Sequence, residues 1–227
     1  MRPDAPWTFG AEWPSDIQVH YYVSARHRPI ELPPAKLDDV SRRIAQNAAS
    51  LISDGSTLQF GVGKIPDAIL SSLSHLRGLG IHSGLINDAV VDLIENGSVT
   101  NEGKGIDVGT TITNQLIGTT KLYRFAHKNR GIQVLPASYT HSQEVLARIN
   151  RLVAINSALE VGLDEGVNSE VLNGITIGAI GGQLDFVRGA NASCGGRAII
   201  VLPAAATKGG SRIVCQSGSR HDTTCRR

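Results

Sequence analysis

Residues 57–76, TLQFGVGKIPDAILSSLSHL, decide the fold. Thr57 to Phe60 form a short buried-strand run, Gly61 and Gly63 supply a tight loop, and a helix is expected from Pro66 through Leu76, with proline in its first turn. The unit recurs at once. GLGIHSG, residues 78–84, reads as a strand, and INDAVVDLIENG, residues 86–97, as an amphipathic helix stopped by Gly97. Upstream, LDDVSRRIAQNAASLI places Val40, Ile44, Ala48 and Leu51 on one helical stripe before DGS breaks it. Downstream, strands are expected at KLYRF (121–125), GIQVLP (131–136), RLVAINSALEV (151–161) and GRAIIVLPA (196–204), with HSQEVLARI (141–149) as an intervening helix. This alternation predicts an α/β fold: an open, largely parallel or mixed sheet covered by helices. Ligands of such folds sit outside the carboxyl ends of the strands.

The 227 residues suffice for one domain with a sizeable core, expected over 36–215. Residues 1–35, with Trp7, Trp13, HYYVSARHRP and Pro33-Pro34, read as an N-terminal arm, and 216–227 as a flexible tail ending in basic residues. With 41% hydrophobic, 19% charged and 4% aromatic residues, the composition is that of a loop-rich globular chain. Lys and Arg number 22 against 20 Asp and Glu, a net charge of +2 that gives no support to nucleic-acid binding. No run approaches the roughly 18 apolar residues of a membrane span, and MRPDAPWTFGAEWPS has no apolar signal core, so a cytoplasmic location is expected. Cys194, Cys215 and Cys225 lack metal-ligand spacing, and neither a metal site nor a redox cofactor is expected.

Three glycine-bearing segments carry the candidate chemistry. Gln59, Phe60, Gly61, Val62 and Gly63 stand where a strand ends and a helix begins, a place where backbone N–H groups meet an anion or a carbonyl oxygen, or where the chain simply turns. The run TIGAIGGQLDFVRGANASCGG allows close approach to the main chain at Gly178, Gly181, Gly182 and Gln183; its glycine spacing fits neither a dinucleotide fingerprint nor a Walker loop. In GLGIHSGLIND, His82 is either a hydrogen-bonded strand-end histidine or a base, and Asp88 a first-turn carboxylate or a water-positioning one. Glu160, near another strand end, either acts on an acyl group or accepts backbone N–H bonds.

Taken together, LQFGVGKIPDAI, LGIHSGLINDAVVDLIENG, AINSALEVGLDEGVNSE, GAIGGQLDFVRGA and GGRAIIVLPA resemble, in order, the C-terminal half of the acetyl-CoA hydrolase/transferase family, 4-hydroxybutyrate CoA-transferase among its members. The resemblance implies a CoA-transferase-like α/β fold. It also implies a thioester site lined by residues 59–63, with the loop from Ala179 through Gln183 holding the CoA moiety. Coenzyme A or an acyl-CoA is then substrate or ligand, not a tightly bound cofactor. In the family a glutamate attacks the acyl-CoA and a glutamyl-CoA thioester passes CoA to a second carboxylate. That glutamate belongs to a segment like GIHSEM, and the matching position here is Gly84. The family site lies where two CoA-transferase-type domains meet, so half a cleft is expected, completed by a homo-oligomer contact or a complementary CoA-transferase subunit, with residues 1–35 as a clasp.

Three functions follow as alternatives. The chain processes an acyl-CoA or related thioester without the glutamyl intermediate, with His82, Asp88 or Glu160 positioning water; or it is a non-catalytic CoA-binding or structural subunit; or it is a biosynthetic enzyme on a repurposed CoA-transferase scaffold.

Overall fold

The computed structural model describes residues 4–10, 12–172, 175–177, 181–206 and 209–215. The elements run β1 (Phe9–Gly10), α1 (Asp39–Ala49), β2 (Thr57–Phe60), α2 (Lys64–Ser71), β3 (Gly80–Ile86), α3 (Asp88–Glu95), β4 (Thr111–Leu116) and α4 (Thr120–Ala126). Then come β5 (Ile132–Val134), α5 (Ala137–Thr140), α6 (Gln143–Ala147), β6 (Leu152–Ser157), β7 (Glu160–Gly162), β8 (Val167–Asn168), β9 (Val171–Leu172), β10 (Ile175–Thr176), α7 (Gln183–Ala192), β11 (Arg197–Val201) and β12 (Ile213–Val214). Seven strands form one sheet in the order β1-β5-β4-β3-β2-β6-β11, every neighbouring pair parallel. The expected open, largely parallel sheet covered by helices is therefore the one observed. Two small sheets, β12-β7-β8 and β10-β9, stand beside it.

After β1, which joins the edge beside β5, the chain enters mid-sheet at β2, steps outward through β3, β4 and β5, then returns to the other side of β2 for β6 and β11. With right-handed crossovers, reversing the direction of travel moves the helices to the opposite face. Accordingly α1 to α4 cover one face over the main core of Phe60, Ile69, Leu73, Ile81, Val90 and Leu122, while α6 and α7 cover the other over Leu146, Ile149, Leu152, Phe186 and Ala190. A reversal of strand order opens a crevice at the carboxyl ends of the strands around it.

Three local expectations need correcting. KLYRF is helical, not a strand: it lies in α4, where Thr119 caps the Lys121 N–H and the Asp88 carboxylate accepts from the N–H groups of Thr119 and Leu122. Five residues are too few to separate the two periods, and the cap decides. The buried face of α1 is Ser41, Ala45, Ala48 and Ala49, while Val40 and Leu51 are exposed, because small residues let α1 lie close on α2. The 151–161 run is two strands, since β6 ends at Ser157 and the chain leaves the main sheet for β7.

The first 35 residues are fastened at two places. Phe9 and Gly10 pair with β5, with the Lys128 N–H donating to the Trp7 carbonyl. Further on, the Leu32 N–H donates to Gly118 O, and the Glu31 carboxylate accepts from Thr120 N–H and Oγ1. Between these points Trp13, Tyr21, Tyr22 and Val23 are exposed.

Candidate functional site

At the strand-order reversal lies a cleft of about 470 Å³. Its walls come from the ends of β2 (Gln59 to Val62), β3 (Gly84, Leu85), β4 (Asn114, Gln115) and β6 (Asn156, Ser157), closed by His141, by Ser169 and Glu170, and by Gly181, Gly182, Gln183 and Phe186 at the start of α7. All three glycine segments read from the sequence thus meet across one cavity, through 59–62, through Gly84 and Leu85, and through 181–183. Gly63, at a φ of 143°, stands next door in an apolar groove of about 300 Å³ that shares Val62 and Leu85 with the cleft. Gly178, like Cys225 and the 216–227 tail, lies outside the described residues.

Gln59 and Asn156, on neighbouring strands, exchange carboxamide hydrogen bonds of 3.4 and 3.1 Å, which fixes both heads and leaves each a second N–H for a ligand. The Gly61 N–H is already committed to Ile155 O, and a Cβ there would stand 3.2 Å from Asn156 Oδ1. Gly61 is therefore a close-approach residue and not a free donor.

His82, Asp88 and Glu160 do not converge. His82 is fully buried behind the cleft, its Nε2 3.1 Å from the Thr140 carbonyl and its Nδ1 4.0 Å from Asp107. Burial, reinforced by the Lys104 ammonium, pushes its imidazole down to about 4, so it stays neutral. Lys104 is itself buried, donating to the carbonyls of Ile81 (2.9 Å) and Thr110 (2.6 Å), and burial brings it down to about 8. Asp88 is occupied in capping α4 and faces the apolar groove. Glu160 accepts from Asn168 Nδ2 at 2.9 Å; the Oδ1 of that same asparagine accepts from the N–H groups of Glu170 and Val171. Glu160 thereby braces the turn that carries Glu170 to the cleft.

Among the cleft residues that were not sequence candidates, Asn156 included, two are titratable. His141 caps the end of α5, a short helix that precedes the expected one, which itself spans only Gln143–Ala147 as α6, so His141 lies in the break between the two. The ring lies on Phe186, centroids 4.7 Å apart, and a Cβ added to Gly84 would stand 3.3 Å from its Nε2. Thr140 Oγ1 is 2.8 Å from Nδ1 and 3.4 Å from Pro136 O; in the tautomer with the proton on Nδ1, that N–H donates to Thr140 Oγ1 and Nε2 presents its lone pair to the cleft. Burial holds the His141 imidazole below its ordinary value, partly opposed by Asp185. The second residue is Glu170, 6% exposed, whose Oε1 has no hydrogen-bond partner. Neither carried a glycine signal in the sequence: Glu170 follows the end of β8, and His141 the end of α5.

A parallel sheet with a polar, glycine-lined cleft at its strand-order reversal defines an open α/β protein of the CoA-transferase-like class. The comparisons give the family: the chain belongs to the acetyl-CoA hydrolase/transferase family, whose C-terminal domain model matches residues 118–227. It is 42% identical over 209 residues to the 4-hydroxybutyrate coenzyme A transferase of Clostridium kluyveri, covering 92% of this chain and 49% of that one. It is 34% identical over 215 residues to a succinyl-CoA:cyclohexane-1-carboxylate CoA transferase of Geobacter metallireducens, 94% and 49% covered. Among solved structures, RipA from Yersinia pestis superposes with a TM-score of 0.85 at 33% identity, over 96% of this chain and 49% of that one. The 4-hydroxybutyrate CoA-transferase of Porphyromonas gingivalis gives 0.76 at 36%, over 86% and 46%. The chain spans about half the length of the curated relatives it matches.

Among the described residues no group of three or more His, Cys, Asp or Glu side chains is placed to hold a metal ion, and no helix is long and apolar enough to cross a membrane.

Proposed function

We propose that this chain is a CoA-transferase scaffold put to acyl-CoA chemistry that does not pass through a glutamyl-CoA intermediate. The observation that carries this reading is the space above Gly84: the resemblance puts the family's glutamate at this position, glycine supplies no nucleophile, and a Cβ there would stand 3.3 Å from His141 Nε2.

In the proposed reaction the thioester carbonyl sits at the carboxyl ends of β2 and β3. Water above Gly84 gives a proton to His141 Nε2 as its oxygen bonds to the carbonyl carbon. The second N–H groups of Gln59 and Asn156 face the developing oxyanion. The C–S bond then breaks, and the proton on His141 passes to the departing thiolate. Gly181, Gly182 and Gln183 line the side toward the coenzyme. Another small nucleophile admitted in place of water would give a biosynthetic product by the same steps.

A partner surface forms part of the proposal, because residues 13–23 expose Trp13, Tyr21, Tyr22 and Val23.

The test is release of free CoA from a series of acyl-CoAs, with and without a carboxylate acceptor, by the wild type and His141→Gln. The reading expects acceptor-independent release and a loss of about 10²-fold or more in kcat for the variant. Ping-pong turnover that strictly requires the acceptor would overturn it.

A further inference from the structure

The loop between α3 and β4 is rich in left-handed backbone: Asn101, Gly105, Asp107 and Gly109 stand at φ of 61°, 86°, 50° and 75°. A residue with a side chain is held there only when its surroundings impose it, and such residues cluster where a protein uses the geometry. Here the surroundings do impose it. Lys104, fully buried, lies against Gly80 and donates to the carbonyls of Ile81 and Thr110. Asn101 Oδ1 accepts from the Ile81 N–H, and the Asn150 N–H donates to Lys104 O. The loop is thereby fixed to β3 and to the residues just before β6.

What the loop delivers is the Asp107 carboxylate. The Tyr139 hydroxyl donates to it, 3.0 Å from both oxygens. Tyr139 belongs to α5, a single turn of four residues that cannot hold its shape alone. Asp107 holds this turn at Tyr139, and His82 holds it at the Thr140 carbonyl, 3.1 Å from Nε2. A carbonyl only accepts, so His82 donates from Nε2; its buried Nδ1, with no hydrogen-bond partner, stands 4.0 Å from Asp107, acceptor beside acceptor. The carboxylate's donor is therefore Tyr139. The residue after Thr140 is His141, whose Nδ1 is 2.8 Å from Thr140 Oγ1 and whose ring lies on Phe186. A tie one or two residues earlier thus fixes where that ring stands, although neither Tyr139 nor Asp107 lines the cleft.

We propose that Tyr139 and Asp107 are positioning residues for His141: their hydrogen bond sets the last turn of α5 and, through it, the place of the His141 ring in the cleft. This rests on the reading of His141 as the base and adds the pair that holds it to that task from outside the cleft.

The test is a cycle of Tyr139→Phe and His141→Gln in the 227-residue chain, read by CoA release from an acyl-CoA that the wild type consumes and by the imidazole signals in proton–carbon NMR spectra. The His141 signal is the one lost in His141→Gln. Tyr139→Phe should lower kcat about tenfold with KM within about twofold of the wild type. In the His141→Gln background the same change should cost less than about twofold, since the two act through one group. Asp107→Gly suits the left-handed backbone and removes only the carboxylate, so it should reproduce the loss, and it replaces Tyr139→Phe if that variant fails to fold. Asp107→Asn, which keeps an acceptor for the phenol, should retain most of the rate. In the spectra Tyr139→Phe should move the His141 signal, because the ring shifts over Phe186, and leave that of the exposed His75 in place. An equal loss of rate in both backgrounds overturns the proposal, and so does an unmoved His141 signal, whether or not the ester is turned over. Wild-type release by His141→Gln refutes the base reading itself, a result distinct from either.

Discussion

Gly182→Ala tests the role of His141 without touching the imidazole. A Cβ built on Gly182 would stand 2.3 Å from His141 Nε2, 2.4 Å from Cδ2 and 3.2 Å from Phe186 Cε2. Ordinary contact is about 3.5 Å, so the ring must retreat by about 1 Å, carrying Nε2 away from the space above Gly84. The ring is held at its other edge by Thr140 Oγ1 and lies at the border of the cleft, so it has room to yield. The stability cost should therefore fall at the low end of the roughly 1–3 kcal/mol typical of overpacking, a drop of about 2–4 °C in Tm. Catalysis should suffer far more, because about 1 Å of misplacement of a reacting group costs about 10²-fold. Gly181→Ala is the matched control, since a Cβ there meets nothing within 4 Å. CoA release and thermal unfolding are measured on both variants. A Gly182→Ala protein that turns over acyl-CoA at the wild-type rate, with its Tm lowered, would refute the assignment of His141; so would equal damage from Gly181→Ala.

Two pH dependences follow from His82 and His141. His82 titrates near 4 in the folded protein against an ordinary value of about 6.5, so the unfolded chain binds the extra proton between those limits. Stability is full above about 6.5 and declines by about 3 kcal/mol as the pH falls through that window; urea titrations from pH 7 to 4 should show the decline, and His82→Asn should flatten it. His141 acts as a neutral base with its imidazole held below the ordinary value, so kcat/KM should rise with pH to a plateau, with the midpoint of the acid limb below about 6.5. A midpoint above 7, or a rate that falls as the pH rises toward neutrality, would contradict that role.

The repeated strand, glycine loop and helix at 57–97 was legible because each unit joins an apolar run to a glycine stop, and those local signals agree with the sheet they build. Strand β4 was not legible. Its Thr111, Thr113, Asn114 and Gln115 look like loop residues, yet Thr111 and Thr113 are buried mid-sheet, Thr111 Oγ1 accepting from Asn101 and Thr113 Oγ1 donating to Gln115 O. Half of the candidate site was likewise visible. Glycine clusters announce where a backbone is approached, and 59–62 and 181–183 do meet in the cleft. His141 and Glu170 carry no such mark in the sequence. Their importance arises from long-range placement: α7 brings Gly182 and Phe186 against the His141 ring, and an asparagine-fixed turn aims Glu170 inward. His82 illustrates the converse. It stands out beside Ser83 in the sequence but lies behind the wall, where its hydrogen bond to the Thr140 carbonyl steadies the peptide next to His141.

The most direct test of the central claim is the intact mass of the chain after incubation with an acyl-CoA that it consumes, quenched with and without borohydride. With Gly84 in place and His141 acting on water, the mass should stay that of the unmodified protein while free CoA accumulates. A covalent CoA adduct on the wild type, or its borohydride-reduced product at any glutamate, would show that a glutamyl thioester forms and would contradict the account.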